Sequence, residues 1–280
     1  MSPTPTRLVL LGHPVRHSLS PLFQNAALRS ERIPLEYEAI DVPPPELASV
    51  LRGLAAAGAA GNVTVPHKES VATLCDRLTS LAAHVGAVNT FWVDADGRLV
   101  GDNTDVDGFS YLALDLLGTV PQGLRCALLG AGGAAAAALA AMERWPSCAV
   151  RVHNRTRARA VRLVSRFELT ATVTDDIETA VRDAHLVVNA VGGNAPTSED
   201  VVPVDRLHST VSVIDLSYAP GGTRFVRAAR ARGLKTSDGL PMLIEQGVLS
   251  FERWFGRGGP HTPTWPPPHQ TRSPSRDPKG

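Results

Sequence analysis

The first hundred residues alternate between short apolar segments and segments whose apolar residues recur at helical spacing. The short segments are rich in aliphatic and β-branched residues and are bounded by turn-forming residues, which predicts strands at residues 7–11, 35–42 and 62–65. The segments between them predict helices at residues 20–28, 45–58 and 69–78. An Asp-Ala-Asp-Gly turn between residues 88–93 and 98–100 predicts a hairpin. This alternation indicates an α/β layered domain.

The second half of the chain continues the alternation in a regular form. After a helix at residues 107–117, strands are predicted at residues 126–129, 150–153, 186–189 and 211–216. Helices are predicted between and after them, at residues 157–167, 177–182 and 224–232. Strands joined by helices predict a doubly wound parallel sheet over residues 106–238. A final amphipathic helix, residues 242–254, is expected to cross back and pack on the first domain.

The chain therefore divides into two α/β lobes with a cleft between them. We predict one domain from residues 1–105 plus 239–259 and a second from residues 106–238. Residues 260–280 hold seven prolines and no hydrophobic period. Such a segment buries too little apolar surface to offset the entropy of ordering, which predicts a disordered tail.

Composition narrows the class of protein. Hydrophobic residues make up 43% and charged residues 20% of the chain, as in globular proteins, and the net charge of +1 gives no basic field for nucleic acid. Cys75, Cys126 and Cys148 lack C-x-x-C spacing and are predicted to be reduced core residues. The sequence has neither an apolar run of about 18 residues nor the layout of a signal peptide, so we expect a cytoplasmic protein without membrane or nucleic-acid partners.

A glycine-rich loop follows the first strand of the second domain. Gly130, Gly132 and Ala135 match G-x-G-x-x-G/A at the start of a helix. Glycine permits a tight turn and close approach of backbone amides to a pyrophosphate, and the helix N-terminus favours negative charge. The loop predicts a Rossmann-type dinucleotide site formed by Gly130, Ala131, Gly132, Gly133 and Ala134. The alternative is an alanine-rich helix packed closely against a sheet.

The residues after the next strand distinguish NADP from NAD. An NAD enzyme usually has an acidic residue there, which binds the ribose 2′-hydroxyl. This chain has Asn154, Arg155, Thr156 and Arg159 instead. Guanidinium groups pair with a 2′-phosphate through charge-assisted hydrogen bonds, whereas the positive end of a helix dipole disfavours basic residues without an anion. The segment predicts NADP; the alternative is a solvated basic helix start.

Several short motifs, taken together and in order, resemble the shikimate dehydrogenase family. They cover the chain from about residue 7 to residue 256, and their order makes the match specific. The motifs are GHPVRHSLSP at 12–21, NVTVPHKE at 62–69, GAVNT at 86–90, GDNTD at 101–105, the glycine loop, NRT at 154–156, residues 215–225 and DGL at 238–240.

The resemblance implies roles for individual residues. The family's catalytic lysine and aspartate match Lys68 and Asp105. Its ligands of the substrate carboxylate and substrate hydroxyls match Ser18, Ser20, Tyr218, Thr64, Asn89 and Gln246. Gly239 belongs to the cofactor contacts. The first domain would then bind substrate and carry the catalytic pair, and the second would bind NADP.

The chemistry of these residue types agrees with the resemblance. Reduction of a ketone needs a hydride at carbon and a proton at oxygen, and an ammonium held by a carboxylate supplies the proton and stabilises developing charge. Read without the family, Lys68 could be a solvated lysine and Asp105 a helix cap. No His pair has ligand spacing, so no metal is predicted. The G-x-S-x-G motif of a hydrolase is absent from the sequence.

The resemblance thus implies a shikimate dehydrogenase: NADPH-dependent, reversible reduction of 3-dehydroshikimate in the chorismate pathway to aromatic amino acids. Two alternatives stay open, a quinate or aminoshikimate dehydrogenase paralogue and a non-catalytic relative that senses the same ligands. The expected partner is the small-molecule substrate, and the expected state is a monomer or homodimer. The sequence departs from the family pattern at Gln24, where histidine is common, and at Gly247, where alanine is usual.

Overall fold

The computed structural model describes residues 4–192, 202 and 204–256 of the chain. Their strands form two sheets, each covered by helices, and the two sheets define two lobes. This arrangement confirms the predicted fold class of two α/β units, the second with a doubly wound parallel sheet. The predicted tail, residues 260–280, lies outside the described residues.

The first sheet is mixed. Its described strands are β1 (Leu8–Gly12), β2 (Tyr37–Asp41), β3 (Ala60–Val63), β4 (Arg77–Leu78), β5 (Thr90–Val93) and β6 (Leu99–Asp102). They lie in the order β2-β1-β3-β5-β6-β4, in which β1 pairs with β2 and β3 in parallel and β5 pairs with β3 and β6 in antiparallel. The predicted hairpin is the β5–β6 pair.

Helices cover both faces of this sheet. They are α1 (Ser20–Ser30), α2 (Leu47–Ala56), α3 (Lys68–Leu74), α4 (Ser80–Val85) and the last helix of the chain, Leu240–Phe255. Helix α5 (Asp105–Leu117) follows β6 and packs between the last helix and the second lobe. Leu47, Leu51 and Leu54 of α2 pack against Val9 and Leu11 on one face of the sheet. The last helix packs on the other face, where its Phe251 and Trp254 contact the cluster formed by Leu8, Leu10 and Tyr37. This is the predicted return of the chain to the first lobe.

The second sheet is wholly parallel. Its described strands are β7 (Arg125–Leu129), β8 (Ala149–His153), β9 (Thr170–Thr174), β10 (Leu186–Asn189), β11 (Ser212–Asp215) and β12 (Lys235–Asp238), in the order β12-β11-β10-β7-β8-β9. The helices are α6 (Gly133–Met142), α7 (Arg157–Val164), α8 (Ile177–Val181) and α9 (Arg224–Ala231), so the last helix of the chain is α10. The strand order reverses between β7 and β10, where parallel α/β sheets bind ligands.

Five elements differ from the sequence predictions. The helix predicted at 69–78 ends at Leu74, and the short strand β4 and helix α4 follow it. The edge strands β9 and β12 were not predicted, because their sequences TATVT and KTSD are mostly polar. Edge strands are half exposed and do not need an apolar run.

The apolar core continues across the two lobes. Val85 and Ala87 of the first lobe, Val106 and Phe109 of α5, and the buried face of α6 belong to one cluster of buried side chains. Helix α5 therefore contacts α6 on one side and α10 on the other.

No helix in the described ranges is both long enough and apolar enough to cross a membrane.

Candidate active site

Lys68 and Asp105 form a close ion pair at the junction of the lobes. Lys68 is the first residue of α3, directly after the loop that follows β3, and Asp105 is the first residue of α5. Lys68 Nζ donates to Asp105 Oδ2 at 2.5 Å, and the two side chains are 14% and 4% exposed. Asp105 is not the N-cap of its helix, since Thr104 occupies that position. The carboxylate is therefore free to hold the ammonium.

Asn89 links this pair to Gln246 of α10. Its Nδ2 lies 3.0 Å from Asp105 Oδ1 and 3.0 Å from Gln246 Oε1. Asn89 is 1% exposed and Gln246 is 8% exposed. The structure thus brings four of the predicted site residues into one hydrogen-bonded cluster.

A second layer of buried polar residues supports the cluster, and the sequence reasoning missed it. Ser250, fully buried on α10, contacts Thr104 Oγ1 at 3.1 Å and accepts from Asn62 Nδ2 at 2.8 Å. Tyr37 donates its hydroxyl to Asn62 Oδ1 at 2.8 Å. Burial raises the pKa of Tyr37, so its hydroxyl stays a neutral donor. The available signal was the spacing of Gln246 and Ser250, four residues apart on one helix face.

Ser18 and Ser20 lie together at the start of α1. Their Oγ atoms are 3.2 Å apart. Leu19 is the N-cap of α1, and Ser20, the first residue of the helix, makes no capping bond with its hydroxyl. The hydroxyl of Tyr218, from the loop after β11, accepts from Leu19 N at 3.2 Å. Tyr218 thus approaches the two serines from the opposite lobe.

Thr64 follows β3. Its backbone N donates to Leu11 O, while its hydroxyl makes no hydrogen bond within the described residues.

Gln24 and Gly247, the two departures from the family pattern named above, are in contact with each other. Gln24 Nε2 donates to Gly247 O at 2.9 Å, and a Cβ at Gly247 would lie 3.2 Å from that same nitrogen. The glycine therefore gives room for Gln24 on the turn of α10 that carries Gln246.

The glycine loop has the shape that a dinucleotide requires. Gly130 has a φ of +116°, and a Cβ there would lie 2.9 Å from Ala190 O, so only glycine fits the turn between β7 and α6. A Cβ at Gly132 would meet nothing within 4 Å, which leaves open space above the loop. Ala131 is buried, while Gly133 and Ala134 begin α6 with partial exposure. Backbone amides at this helix start fit a pyrophosphate.

The basic residues after β8 are available to an anion. Arg155 and Arg159 are exposed and have no ion-pair partner within the described residues, whereas Arg157 is paired with Asp175 at 2.8 Å. Asn154 Nδ2 donates to Thr156 O at 2.9 Å and shapes the turn that presents them. Two unpaired guanidinium groups beside the loop fit the 2′-phosphate of NADP.

Gly239 has a packing role in the structure. A Cβ at this position would lie 2.1 Å from Leu216 O, so the start of α10 approaches the loop after β11 more closely than any side chain allows.

Across residues 4–192, 202 and 204–256, no group of three or more His, Cys, Asp and Glu side chains is arranged to hold a metal ion.

Known proteins are similar to this chain in both sequence and fold. Residues 10–91 match the shikimate dehydrogenase substrate binding domain, residues 112–220 match shikimate / quinate 5-dehydrogenase, and residues 239–260 match the shikimate 5′-dehydrogenase C-terminal domain. The shikimate dehydrogenase (NADP(+)) of Methylobacterium radiotolerans is 41% identical over 266 residues, covering 91% of this chain and 93% of the relative.

Solved structures agree with the sequence matches. The crystal structure of shikimate dehydrogenase from Aquifex aeolicus has a TM-score of 0.82 at 32% identity and covers 92% of this chain and 96% of its own. The shikimate 5-dehydrogenase of Thermus thermophilus, in complex with NADP(H) and shikimate, has a TM-score of 0.78 at 39% identity, with 92% and 95% covered. These matches confirm the family and the cofactor that the motifs predicted. The chain belongs to the shikimate dehydrogenase family.

Proposed function

We propose that this chain catalyses the reversible reduction of 3-dehydroshikimate to shikimate with NADPH, a step of chorismate biosynthesis. The observation that carries the proposal is the Lys68–Asp105 pair, with Nζ and Oδ2 2.5 Å apart at the junction of the lobes. The pair is largely buried, and in such surroundings charge–charge interactions are stronger than in water. A largely buried ammonium at the junction of the lobes is suited to donate a proton to the oxygen of a ketone.

In this mechanism each protein group has a separate task. NADPH supplies the hydride when bound. Lys68 donates a proton from Nζ to the substrate oxygen as negative charge develops there, and takes it back in the oxidation direction. Asp105 holds the ammonium through Oδ2, while its Oδ1 accepts from Asn89. The carboxylate thereby fixes the direction in which Nζ points.

The substrate would be held at both ends. Ser18, Ser20 and Tyr218 supply hydroxyl groups for its carboxylate, and the Ser18–Ser20 distance of 3.2 Å suits two donors to one anion. Thr64, Asn89 and Gln246 supply an unoccupied hydroxyl and two amides for the ring hydroxyls. A ring held in this way has its carbonyl carbon fixed relative to the cofactor.

NADP would lie along the edge where the order of the parallel strands reverses. Its pyrophosphate would bind Gly130, Ala131, Gly132, Gly133 and Ala134, at the N-terminus of α6. Its 2′-phosphate would bind Arg155, Thr156 and Arg159 beside Asn154, while Gly239 would permit close approach of the chain near the nicotinamide. Neither Arg155 nor Arg159 has an ion-pair partner within the described residues, and cations at a helix N-terminus are unfavourable without an anion, which supports a bound phosphate over a solvated helix start.

Steady-state kinetics on the purified protein tests the proposal. Shikimate, quinate and aminoshikimate are each oxidised with NADP and with NAD, and kcat/KM is compared. We expect the highest value for shikimate with NADP. A preference for quinate with NAD would overturn both the substrate and the cofactor assignments.

The alternative of a non-catalytic sensor predicts binding of shikimate and NADP without turnover. Such a protein needs neither an ammonium nor its carboxylate, yet both are present and in contact.

Three further expectations stay predictions: the boundaries of the two domains, the cytoplasmic location, and the monomeric or homodimeric state.

A further inference from the structure

Gly133, the first residue of α6, lies directly against the side chain of Lys68. A Cβ built at Gly133 would be 3.1 Å from Lys68 Cβ, 3.3 Å from Lys68 Cδ and 3.5 Å from Ala87 Cβ. The first two distances are shorter than ordinary van der Waals contact. At the neighbouring Gly132 the same Cβ would meet nothing within 4 Å. Of these two neighbouring glycines, Gly133 is therefore the one that packs against the lysine stem.

The lysine stem has little freedom to give way. Lys68 begins α3, and its carbonyl accepts from Val88 N at 2.9 Å. Its Nζ is held by Asp105 at 2.5 Å, and the side chain is 14% exposed. A methyl group at position 133 therefore needs a shift of a few tenths of an ångström, which would displace the lysine stem, and with it Nζ, relative to Asp105.

Backbone conformation does not explain the glycine. Gly133 lies in the first turn of α6 and is not among the residues with positive φ. Alanine is compatible with that backbone and favours a helix more than glycine does. The contact with Lys68 is thus a physical constraint on this position that backbone conformation does not supply.

We propose that Gly133 is a positioning residue for Lys68: its lack of a side chain lets the nucleotide helix pack against the lysine stem and keeps Nζ on Asp105. The inference rests on the proposed function, since it requires Lys68 to act in catalysis. It separates two neighbours in one motif: at Gly132 the missing side chain leaves room for the nucleotide, whereas at Gly133, whose backbone amide stays available to the pyrophosphate, it leaves room for the lysine.

The test compares three glycine-to-alanine variants. Gly133→Ala should lower kcat about tenfold, because misplacing a reacting group by a fraction of an ångström has effects of this order. Its Kd for NADP, measured by calorimetry, should stay within about twofold of the wild type, since its new methyl group points at Lys68. Gly132→Ala should instead raise the Kd for NADP, because close approach of the backbone to the pyrophosphate is lost.

Gly53→Ala is the matched control for the substitution itself. Gly53 is exposed within α2, and a Cβ there meets nothing within 4 Å. This variant should match the wild type in kcat and in Kd for NADP. Thermal melts of all three variants report any loss of fold.

Two further measurements connect Gly133 to Lys68. In a Lys68→Ala background the Gly133→Ala change should have much less effect on the residual rate, because two groups that act through one contact are not additive. A crystal structure of Gly133→Ala should show Lys68 Nζ farther from Asp105 Oδ2 than 2.5 Å, or the lobes farther apart. This structural result does not depend on activity or on folding yield in solution assays.

The outcomes separate the inference from the proposed function. If the wild-type protein does not oxidise shikimate with NADP, the proposed function fails. If the wild type is active and Gly133→Ala has the same kcat, or loses rate only in proportion to weaker NADP binding, the inference alone is overturned.

Discussion

At the scale of single residues, the site depends on one buried cation and the anion that holds it. The Asp105 carboxylate uses both oxygens, Oδ2 for Lys68 at 2.5 Å and Oδ1 for Asn89 at 3.0 Å. A buried charge without a partner costs free energy, so removal of either group leaves the other one unpaired. The ammonium is the group that contacts the reacting oxygen, and its removal should therefore lower the rate of the chemical step.

Lys68→Ala should lower kcat by about a hundredfold to ten-thousandfold, the range for a positioned general acid, and leave the Kd for shikimate nearly unchanged. Steady-state kinetics gives the first value and calorimetry the second. Lys235→Ala is the control, because Lys235 is an exposed lysine on β12. Weaker binding of shikimate at unchanged kcat would contradict a role for Lys68 in the transition state.

At the scale of secondary-structure elements, the site is the meeting point of β3, the turn from β6 to α5, and α10. Ser250 joins these three, since it contacts Asn62 of β3, Thr104 before α5 and Gln246 O one turn back in α10. Its hydroxyl is fully buried, so each of these contacts replaces a bond to water. This junction therefore positions Asn89 and Gln246, which both contact Thr104 Oγ1.

Ser250→Ala should destabilise the protein by about 1–3 kcal/mol, because Asn62 and Thr104 each lose a buried partner. It should also raise KM for shikimate, since Asn89 and Gln246 are then less well oriented. Ser110→Ala is a matched control: Ser110 Oγ makes the same kind of bond, to Val106 O at 3.0 Å, on α5. Urea unfolding and steady-state kinetics on both variants measure the difference. Equal effects of the two substitutions would show that Ser250 matters only to its helix.

Buried apolar strands could be predicted from the sequence, whereas short or mostly polar elements such as β4, β9 and β12 could not. The strand predicted at 186–189 coincides with β10 (Leu186–Asn189), whose residues are all buried. Strand β4 lies within a segment that was predicted to be helical. It pairs with β6, and the preceding Asp76 side chain accepts from Leu99 N at 2.7 Å. Both contacts are with residues that are distant in sequence. Contacts of this kind are set by tertiary structure.

The same limit applies to the site. Motif order predicted Lys68, Asp105, Asn89 and Gln246, and the structure brings them together. Motif order could not predict that Gly133 contacts Lys68, because the two residues belong to different lobes and their contact depends on how the lobes pack together. The individual roles of the site residues stay predictions.

At the scale of the whole molecule, the lobes touch at several separate places. In one of them, His84 Nε2 lies 2.6 Å from Glu143 Oε2, and the His84 and Phe167 rings pack edge to face with their centroids 5.2 Å apart. In another, which is next to Ser18 and Ser20 and which we call the mouth, Leu19 N donates to Tyr218 Oη at 3.2 Å. The His84 contact combines a polar pair with ring packing, while the contact at the mouth is one hydrogen bond. The lobes should therefore separate more easily at the mouth than at His84.

We predict that the lobes flex about the segments near Asp105 and Asp238, and that NADP and shikimate together close the cleft. Ligands that touch both lobes favour the closed state by their extra contacts there. Small-angle scattering should therefore give a smaller radius of gyration with both ligands than with neither. Tyr218→Phe should increase the radius of gyration of the ligand-free protein, because Leu19 N loses its acceptor across the mouth. Identical scattering curves with and without the two ligands would mean that the lobes act as one rigid body, and that access to Lys68 depends on side-chain motion alone.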